Sequence, residues 1–550
     1  MLNLYYQKLI FVLVMLIIYS IIIVVFIVIP EIYCNDYEIS KFYIEDDTKI
    51  CIGFRYMYLL YYVMIGFMML LTLIASLYIR LLRVGNPYYS LRPIVKIRRS
   101  DVLVFIPAYS ENKKELENTL ESVVLNDYPG KSKMMFIVVD GKKCGMGNDD
   151  LTSNYAKELL MVEDDISIDN EYELYVGVYK YIKYVLLIKR ENSGKKDSFI
   201  YVIRTLMAFN KRKSIDISKF EKGDKKYMNI SKSIIGYGLN LNKVDYILML
   251  DTDTKMDVCG LRYLVDYLDS NPFTSAVCGE TSLSNTNTNI LVMAQYYEYY
   301  ITHYTLKAFE MLYGDVLVLS GCFALYRRNV LSNRNLLEEY EKDDKKNLYR
   351  ANISQLGEDR LLTNLILRYY PDFNTKYIEC AKCYTNVPLT YKTLLSQRRR
   401  WTNSLIFCNI MLLMNFPRYK MWKSVCFFLV LLFELWVVLL MPLLLMIGYY
   451  YSVRVMYDWI IGKGDVVGLV ETVLFLCIPI IMCILLGKWR MMGHAIIFML
   501  VLPIFSIVIP LYSIYYSDDV SWGSTRCINS NEEIRMESVD IENVDVVYNE

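Results

Sequence analysis

Histidine is the scarcest chemistry-bearing residue in this chain: 550 residues hold two, His303 and His494. That count excludes a zinc centre built on imidazoles. The net charge is +1, so no bulk electrostatic attraction draws the chain to nucleic acid. Cys380-Ala381-Lys382-Cys383 stands alone, without the second pair that a zinc-ribbon spacing needs. The turn Asn192–Ser198 has a glycine and two lysines but lacks the first glycine of a Walker phosphate loop. Cysteine itself is not scarce, yet several of the 13 lie in apolar runs, where they act as small hydrophobes.

Apolar residues are plentiful. At 55% hydrophobic the chain exceeds ordinary soluble composition. Leu9–Ile29 is an uninterrupted apolar run long enough to cross a bilayer. It reads as a span rather than a signal peptide, because no small-residue cleavage site follows and a second run, Met57–Leu82, comes next. The loop between them is acidic, and Arg80, Arg83, Lys96, Arg98 and Arg99 follow the second run. The positive-inside rule then puts residues from about 84 onward in the cytosol. Cys34 and Cys51 flank the external loop, where a disulfide is chemically allowed. Farther on, Asn403–Phe416 is too short to span and suits the membrane interface. Val425–Tyr451, Val467–Gly487 and Gly493–Tyr516 are long apolar runs. Glu434 and Glu471 lie within them, and a carboxylate at membrane depth faces a polar path or bonds between helices.

Residues 100–400 differ in kind. Short apolar runs (Val102–Ile106, Met135–Val139, Tyr184–Ile188, Tyr246–Leu250) alternate with helical stretches such as Lys114–Leu125. This pattern predicts an α/β domain with a mostly parallel sheet, inserted between membrane helices. Ligands of such sheets sit past the carboxyl ends of the strands. Asp140 and Asp251 fall at those ends. The expected units are two N-terminal membrane helices (1–83), a cytosolic domain (84–402), an interfacial helix with further membrane helices (403–516), and an acidic tail (517–550). The Lys-rich stretch Asn210–Ser233 and the charged stretch Glu338–Arg350 read as solvated periphery.

Within the domain, Asp251-Thr252-Asp253 follows an apolar strand. Two carboxylates at i and i+2 there can share a divalent cation, Mg2+ or Mn2+, bound to a diphosphate. The loops Pro107–Glu111 (with Tyr109) and Asp140-Gly141 lie where a nucleotide base would sit. Lys196 and Asp197 belong to the glycine turn, which suits a phosphate or a base edge. Glu358-Asp359-Arg360 opens an apolar-periodic helix. The helix dipole lowers a carboxyl pKa there and favours a capping role, unless burial near a diphosphate offsets it. Gln397-Arg398-Arg399-Arg400-Trp401 lies just before the interfacial run. A juxtamembrane basic cluster explains its arginines but not its Gln and Trp. Arginine forks grip diphosphate oxygens, and an indole face stacks on a sugar ring.

These residues, in this order, resemble the chitin synthases, processive enzymes of glycosyltransferase family 2. Gly194-Lys195-Lys196-Asp197-Ser198 is similar to the family's Gly-Lys-Arg-Asp-Ser, with Lys196 in place of Arg. Cys278-Gly279-Glu280-Thr281 and Leu319–Phe323 resemble its acceptor-site segments, with Ser320 where the pattern has Pro. Glu358-Asp359-Arg360 and Gln397–Trp401 match unchanged, and Ser521–Arg526 resembles a C-terminal Trp-Gly-x-Thr-Arg motif.

The resemblance implies a GT-A-like fold and inverting, processive transfer of GlcNAc from UDP-GlcNAc to the 4-hydroxyl of a β-1,4 chain, with export through the bilayer. It implies Asp359 as general base with Glu358 beside it, and Asp251 and Asp253 as metal ligands using Mg2+ or Mn2+. Pro107, Tyr109, Glu111, Asp140, Lys196, Asp197, Glu280, Gln397, Arg399, Arg400 and Trp401 would bind substrate. The setting it implies is a multi-pass protein of the plasma membrane, bound to UDP-GlcNAc and nascent chitin and without nucleic acid; it leaves room for a homodimer. Hyaluronan and cellulose synthases share the core motif but use other donors. A transporter with an inactive nucleotide-binding domain would not need the complete acidic and cationic set. Three C-terminal spans would put the tail outside, whereas the tail motif belongs on the catalytic side; the motif is the better guide.

Overall fold

The computed structural model describes residues 2–24, 70, 72–78, 100–145, 148–162, 167–168, 171–211, 225–285, 289–313, 315–344, 347–416, 421–462 and 466–521. The second N-terminal run, the Cys34–Cys51 loop and Trp522–Arg526 fall wholly or mostly outside these residues.

Each of the four apolar runs becomes a strand: β1 (Asp101–Ala108), β2 (Lys133–Asp140), β5 (Ile182–Lys189) and β6 (Val244–Leu250). With β3 (Ser167–Ile168), β4 (Tyr172–Tyr179), β7 (Lys255–Met256), β8 (Thr274–Leu283), β9 (Phe323–Arg327) and β10 (Asn374–Thr385) they form one sheet. Its order is β3-β4-β5-β2-β1-β6-β9-β8-β10-β7. The centre, β5-β2-β1-β6, is parallel. Strand β9 runs antiparallel between β6 and β8, while β8 and β10 are parallel. The expected α/β, mostly parallel architecture is therefore present, with antiparallel additions at β3-β4 and around β9.

The runs are continuous rather than alternating because both faces of the sheet are covered. On one face the helix Lys113–Leu125 buries Leu116, Leu120, Val123 and Val124 at helical spacing. Its start is fixed by a capping box, in which Asn112 accepts from the Glu115 amide and Glu115 reaches back. On the other face Phe105, Phe136, Phe199 and Tyr326 share a core with Leu361, Leu365 and Phe407.

The chain crosses to opposite sides of β1, first to β2 and later to β6. That reversal opens a crevice at the carboxyl ends of β1, β2 and β6. Because β9 is antiparallel to β6, the residues entering β9 reach the same edge, as does the carboxyl end of β10.

Membrane-suited helices flank the domain. Among the described residues, Leu4–Ile23 and Trp489–Tyr515 are long and apolar enough to cross a bilayer. Lys423–Leu439 and Met441–Tyr457 pass the same test only as a pair, bent by 57°. The bend explains the long run Val425–Tyr451: Pro442 lies in the first turn of the second helix, where its missing N–H costs nothing. Val466–Leu485 is a further apolar helix. One expectation changes form. Gln397–Trp401 and the interfacial run are not successive pieces but one helix, Tyr391–Met414.

Candidate active site

The loops of the crevice are tied to one another before any ligand is considered. Thr252 Oγ1 donates to the Pro107 carbonyl at 2.9 Å, joining the turn after β6 to the end of β1. Thr119 Oγ1 donates to the carbonyls of Thr252 and Thr254. The Tyr109 amide donates to Glu111 Oε2 at 2.6 Å, so that carboxylate folds back on its own loop. Asp140 accepts from the amides of Ser193 and Gly194 and pairs with Lys189 at 2.6 Å. Lys189 also holds Asp197 at 2.6 Å. Gly194 has φ +92°, a conformation that glycine adopts without the cost a Cβ would bring.

The acidic centre lies across the crevice. Lys195 Nζ is 2.8 Å from Asp251 Oδ1 and donates to the Gly321 carbonyl at 3.4 Å. Burial opposes the Lys195 charge, but Asp251, Asp359 and Glu358 outweigh it and hold the ammonium well above its ordinary range. Burial, with Asp253 and Asp359 adding to it against Lys195, pushes the Asp251 carboxyl up to about 7. Asp253 Oδ1 accepts from Thr254 and, at 3.4 Å, from Thr385 at the end of β10.

Glu358 and Asp359 open the helix Glu358–Tyr369. The dipole at a helix start favours ionised carboxylates, yet burial and then the Asp359 charge raise Glu358 above its usual range. Burial wins over the dipole here. Asp359 Oδ2 accepts from the Gly321 amide at 3.1 Å, while Oδ1 is buried with no hydrogen-bond partner among the described residues. A Cβ on Gly321 would lie 2.1 Å from that Oδ1, so only glycine allows the approach.

The three arginines of the Tyr391–Met414 helix diverge. Arg398 grips Glu298 with Nε at 2.9 Å and Nη2 at 2.6 Å, and its guanidinium lies 4.1 Å over the Trp401 ring. Gln397 accepts from Arg398. Arg399, almost wholly buried, bonds to the Asp519 carboxylate at 2.7 Å and to the Asp519 and Ser521 carbonyls. Arg400 faces Glu358 and Asp359. Burial brings it down to about 10, with Glu358 and Asp359 pulling the other way. Trp401 is 39% exposed, beside the Tyr299 ring at 6.1 Å.

Lys196 does not join the acidic centre. It pairs with Asp343 at 2.6 Å, over the Tyr340 ring. Lys195 and Lys196 meet again in the wall of a cavity of 130 Å³, with Asp343 and Glu358. Glu280, on β8, pairs with Lys382 at 3.2 Å. A larger cavity of 620 Å³ lies at the amino end of β6, away from these groups, and its Arg327 and Arg328 are bonded to backbone carbonyls. The expected residues thus gather at one edge, while Lys196 and Arg399 are engaged elsewhere. Lys195 and Gly321 are the centre's unexpected members.

The donor set suits a hard cation. Asp251 and Asp253 offer only oxygens, and burial, with the Asp253 and Asp359 charges adding to it, disfavours the Asp251 carboxylate, a penalty that a bound cation would relieve. Among the described residues no three His, Cys, Asp or Glu side chains form a cage by themselves. A cation shared with a diphosphate needs only one or two protein carboxylates.

The tail begins on the domain side. Besides Arg399, Asn352 donates to the Ser517 carbonyl at 2.9 Å, and Lys8 pairs with Asp518 at 2.8 Å.

The family model described as chitin synthase matches residues 91–184 and 183–546. Chitin synthase 6 of Mycosarcoma maydis is 31% identical over 468 residues, covering 78% of this chain and 38% of that protein. Chitin synthase csmB of Aspergillus niger is 30% identical over 469 residues, covering 78% of this chain and 26% of its own length. The chain therefore spans well under half the length of these curated relatives. Among solved structures, a mannosyltransferase of Pyrobaculum calidifontis in complex with GDP-Man and Mn2+ aligns with TM-score 0.40 at 13% identity, over 78% of this chain and 98% of that one. Staphylococcus aureus TarS in complex with UDP aligns with TM-score 0.31 at 11% identity, over 74% of this chain and 91% of that one.

Proposed function

The chain belongs to the chitin synthase family, and on that premise we propose that it transfers GlcNAc from UDP-GlcNAc to the 4-hydroxyl of a growing β-1,4-linked chain and exports the polymer through its membrane helices. The observation that carries this reading is the Asp359 carboxylate: one oxygen is fixed by the Gly321 amide, and the other is without a partner among the described residues. A base needs such an oxygen within reach of the proton it takes.

In this reading the acceptor 4-hydroxyl gives its proton to Asp359 Oδ1 as its oxygen bonds to the anomeric carbon. The bond from that carbon to the diphosphate oxygen breaks on the opposite side, so the linkage inverts and UDP leaves. Asp251 and Asp253 would hold Mg2+ or Mn2+, whose contribution is to neutralise charge on the diphosphate. Lys195 and Arg400, the cations facing the carboxylates, add to that stabilisation. Lys196 and Arg399 serve the surrounding frame through Asp343 and Asp519. Pro107, Tyr109, Glu111, Asp140 and Asp197 shape the nucleotide side, and Glu280, Gln397 and Trp401 the acceptor side. Arg398 lies over the Trp401 ring, and the exposed part of the indole would meet a sugar ring.

The test is UDP release by detergent-solubilised protein given UDP-GlcNAc with Mn2+ or Mg2+, followed by chitinase digestion of the pellet. UDP release with a chitinase-sensitive polymer is expected. UDP-glucose or UDP-glucuronate supporting polymer instead would replace this reading with a cellulose or hyaluronan synthase. Asp359→Asn should abolish transfer while donor binding persists, and polymer from that variant would overturn the base assignment.

A further inference from the structure

Beneath the loop that carries Gly321 lies a polar cluster that the proposed reaction does not use. Lys307 is 1% exposed, and no described carboxylate pairs with it. Its Nζ lies 2.6 Å from Ser320 Oγ and 3.6 Å from Cys278 Sγ, with the Tyr377 ring at 6.0 Å. A buried ammonium with no direct ion pair, and with Glu310 acting on it only at longer range, is costly, so its few hydrogen bonds matter more than usual. Ser320 Oγ is also 3.3 Å from His303 Nε2, and His303 Nδ1 is 3.1 Å from the Tyr299 carbonyl.

The direction of each bond follows from chemistry. A carbonyl oxygen can only accept, so Nδ1 of His303 carries the proton. Burial, with the Lys307 charge adding to it, holds the ring well below its ordinary pKa, so the imidazole is neutral and Nε2 accepts. The Ser320 hydroxyl therefore donates to His303, and its oxygen accepts from Lys307. This makes an ordered relay: Lys307 to Ser320, Ser320 to His303, His303 to the Tyr299 backbone.

Its two ends touch different parts of the site. Ser320 precedes Gly321, whose amide holds Asp359 Oδ2 at 3.1 Å and whose carbonyl accepts from Lys195. Tyr299 lies against Trp401 and Arg398. A proline at position 320, as in the pattern this chain resembles, would fix φ by its ring. Serine lacks that constraint, and the two side-chain hydrogen bonds replace it.

We propose that Ser320 is a positioning residue: pinned between Lys307 and His303, it holds the Ser320–Gly321 loop so that the Gly321 amide stays on Asp359. The proposal rests on the reading of Asp359 as the base. The experiment compares Ser320→Ala, Ser320→Thr and Asp359→Asn in the full-length, detergent-solubilised protein, with kcat, KM for UDP-GlcNAc and Tm measured for each. Ser320→Ala should lower kcat by about tenfold, the effect of roughly 1.4 kcal/mol at the transition state. KM should stay within about twofold, because the donor loops are untouched, and Ser320→Thr, which keeps the hydroxyl, should regain kcat. An inactive Asp359→Asn beside wild-type kcat in Ser320→Ala overturns the relay alone. Parallel losses of kcat and Tm in Ser320→Ala that Ser320→Thr does not recover also overturn it, since the cluster would then be structural only. Polymer made by Asp359→Asn overturns the base assignment, and the relay's purpose with it.

Discussion

Gly321→Ala is the sharpest test of the site's geometry. The backbone of Gly321 is not in the left-handed region, so alanine brings no conformational penalty of its own. What it brings is a methyl 2.1 Å from Asp359 Oδ1 and 2.3 Å from both Cγ and Oδ2. Ordinary contact begins at 3.4 Å, so the loop and the carboxylate must part by about 1 Å, and a displacement of that size near a reacting group costs on the order of 100-fold in rate. The Gly321 amide also loses its grip on Oδ2. We expect kcat for UDP release to fall about 100-fold, equivalent to roughly 2.7 kcal/mol. KM for UDP-GlcNAc should hold within about twofold, because Asp140 and its loop lie across the crevice. Gly194→Ala is the contrasting variant. It meets nothing within 4 Å but sits at φ +92°, so its cost is backbone strain of about 1–2 kcal/mol. It should appear as a lowered Tm. A Gly321→Ala enzyme with kcat within twofold of the parent would refute the close approach and the role drawn from it.

Three further outcomes are expected. Chelation of divalent cations should stop UDP release and added Mn2+ or Mg2+ should restore it; release that persists in excess EDTA would remove Asp251 and Asp253 from a metal role. Asp519→Ala deletes a charge-assisted bond to a buried guanidinium and should cost about 2 kcal/mol of stability, with an unchanged Tm counting against the clasp. Burial and the nearby Glu434 raise the Glu310 carboxyl well above its ordinary range. The unfolded carboxyl ionises first, so the stability this group contributes is complete below its unfolded pKa and declines as pH rises toward the folded value. Glu310→Gln should therefore gain Tm relative to the parent as pH rises above the ordinary carboxylate range, and parallel pH curves for the two proteins would contradict it.

The strands and the acidic pair were legible because their signals are local. Four apolar runs of strand length, each ending in polar residues, gave β1, β2, β5 and β6 and placed Asp140 and Asp251 at their ends. What escaped was direction and distance. Lys195 and Lys196 are neighbours at a helix start, where successive side chains diverge by about 100°; spacing alone cannot say which faces Asp251. Gly321 reaches Asp359 across 38 residues, and no periodicity reports such an approach. The join between Gln397–Trp401 and the interfacial run was hidden because polarity changes along the helix. Arg398 and Arg399 are buried in ion pairs, while Ile406, Phe407 and Met411 are buried by apolar packing, yet the backbone is continuous.

The clasp on Arg399 also orders events during synthesis. The Tyr391–Met414 helix and the sheet beneath it can pack once residues through about 416 have emerged, but the partners of Arg399 are made 120 residues and more after it. Lys8, made well before Arg399, waits still longer for Asp518. Until then a guanidinium bound for the interior has no acceptors, and water must remain around it. Because loop-closure entropy is met before such distant contacts repay it, the frame around Arg399 closes late, and a chain halted before residue 519 would lack the acceptors that let this guanidinium be buried.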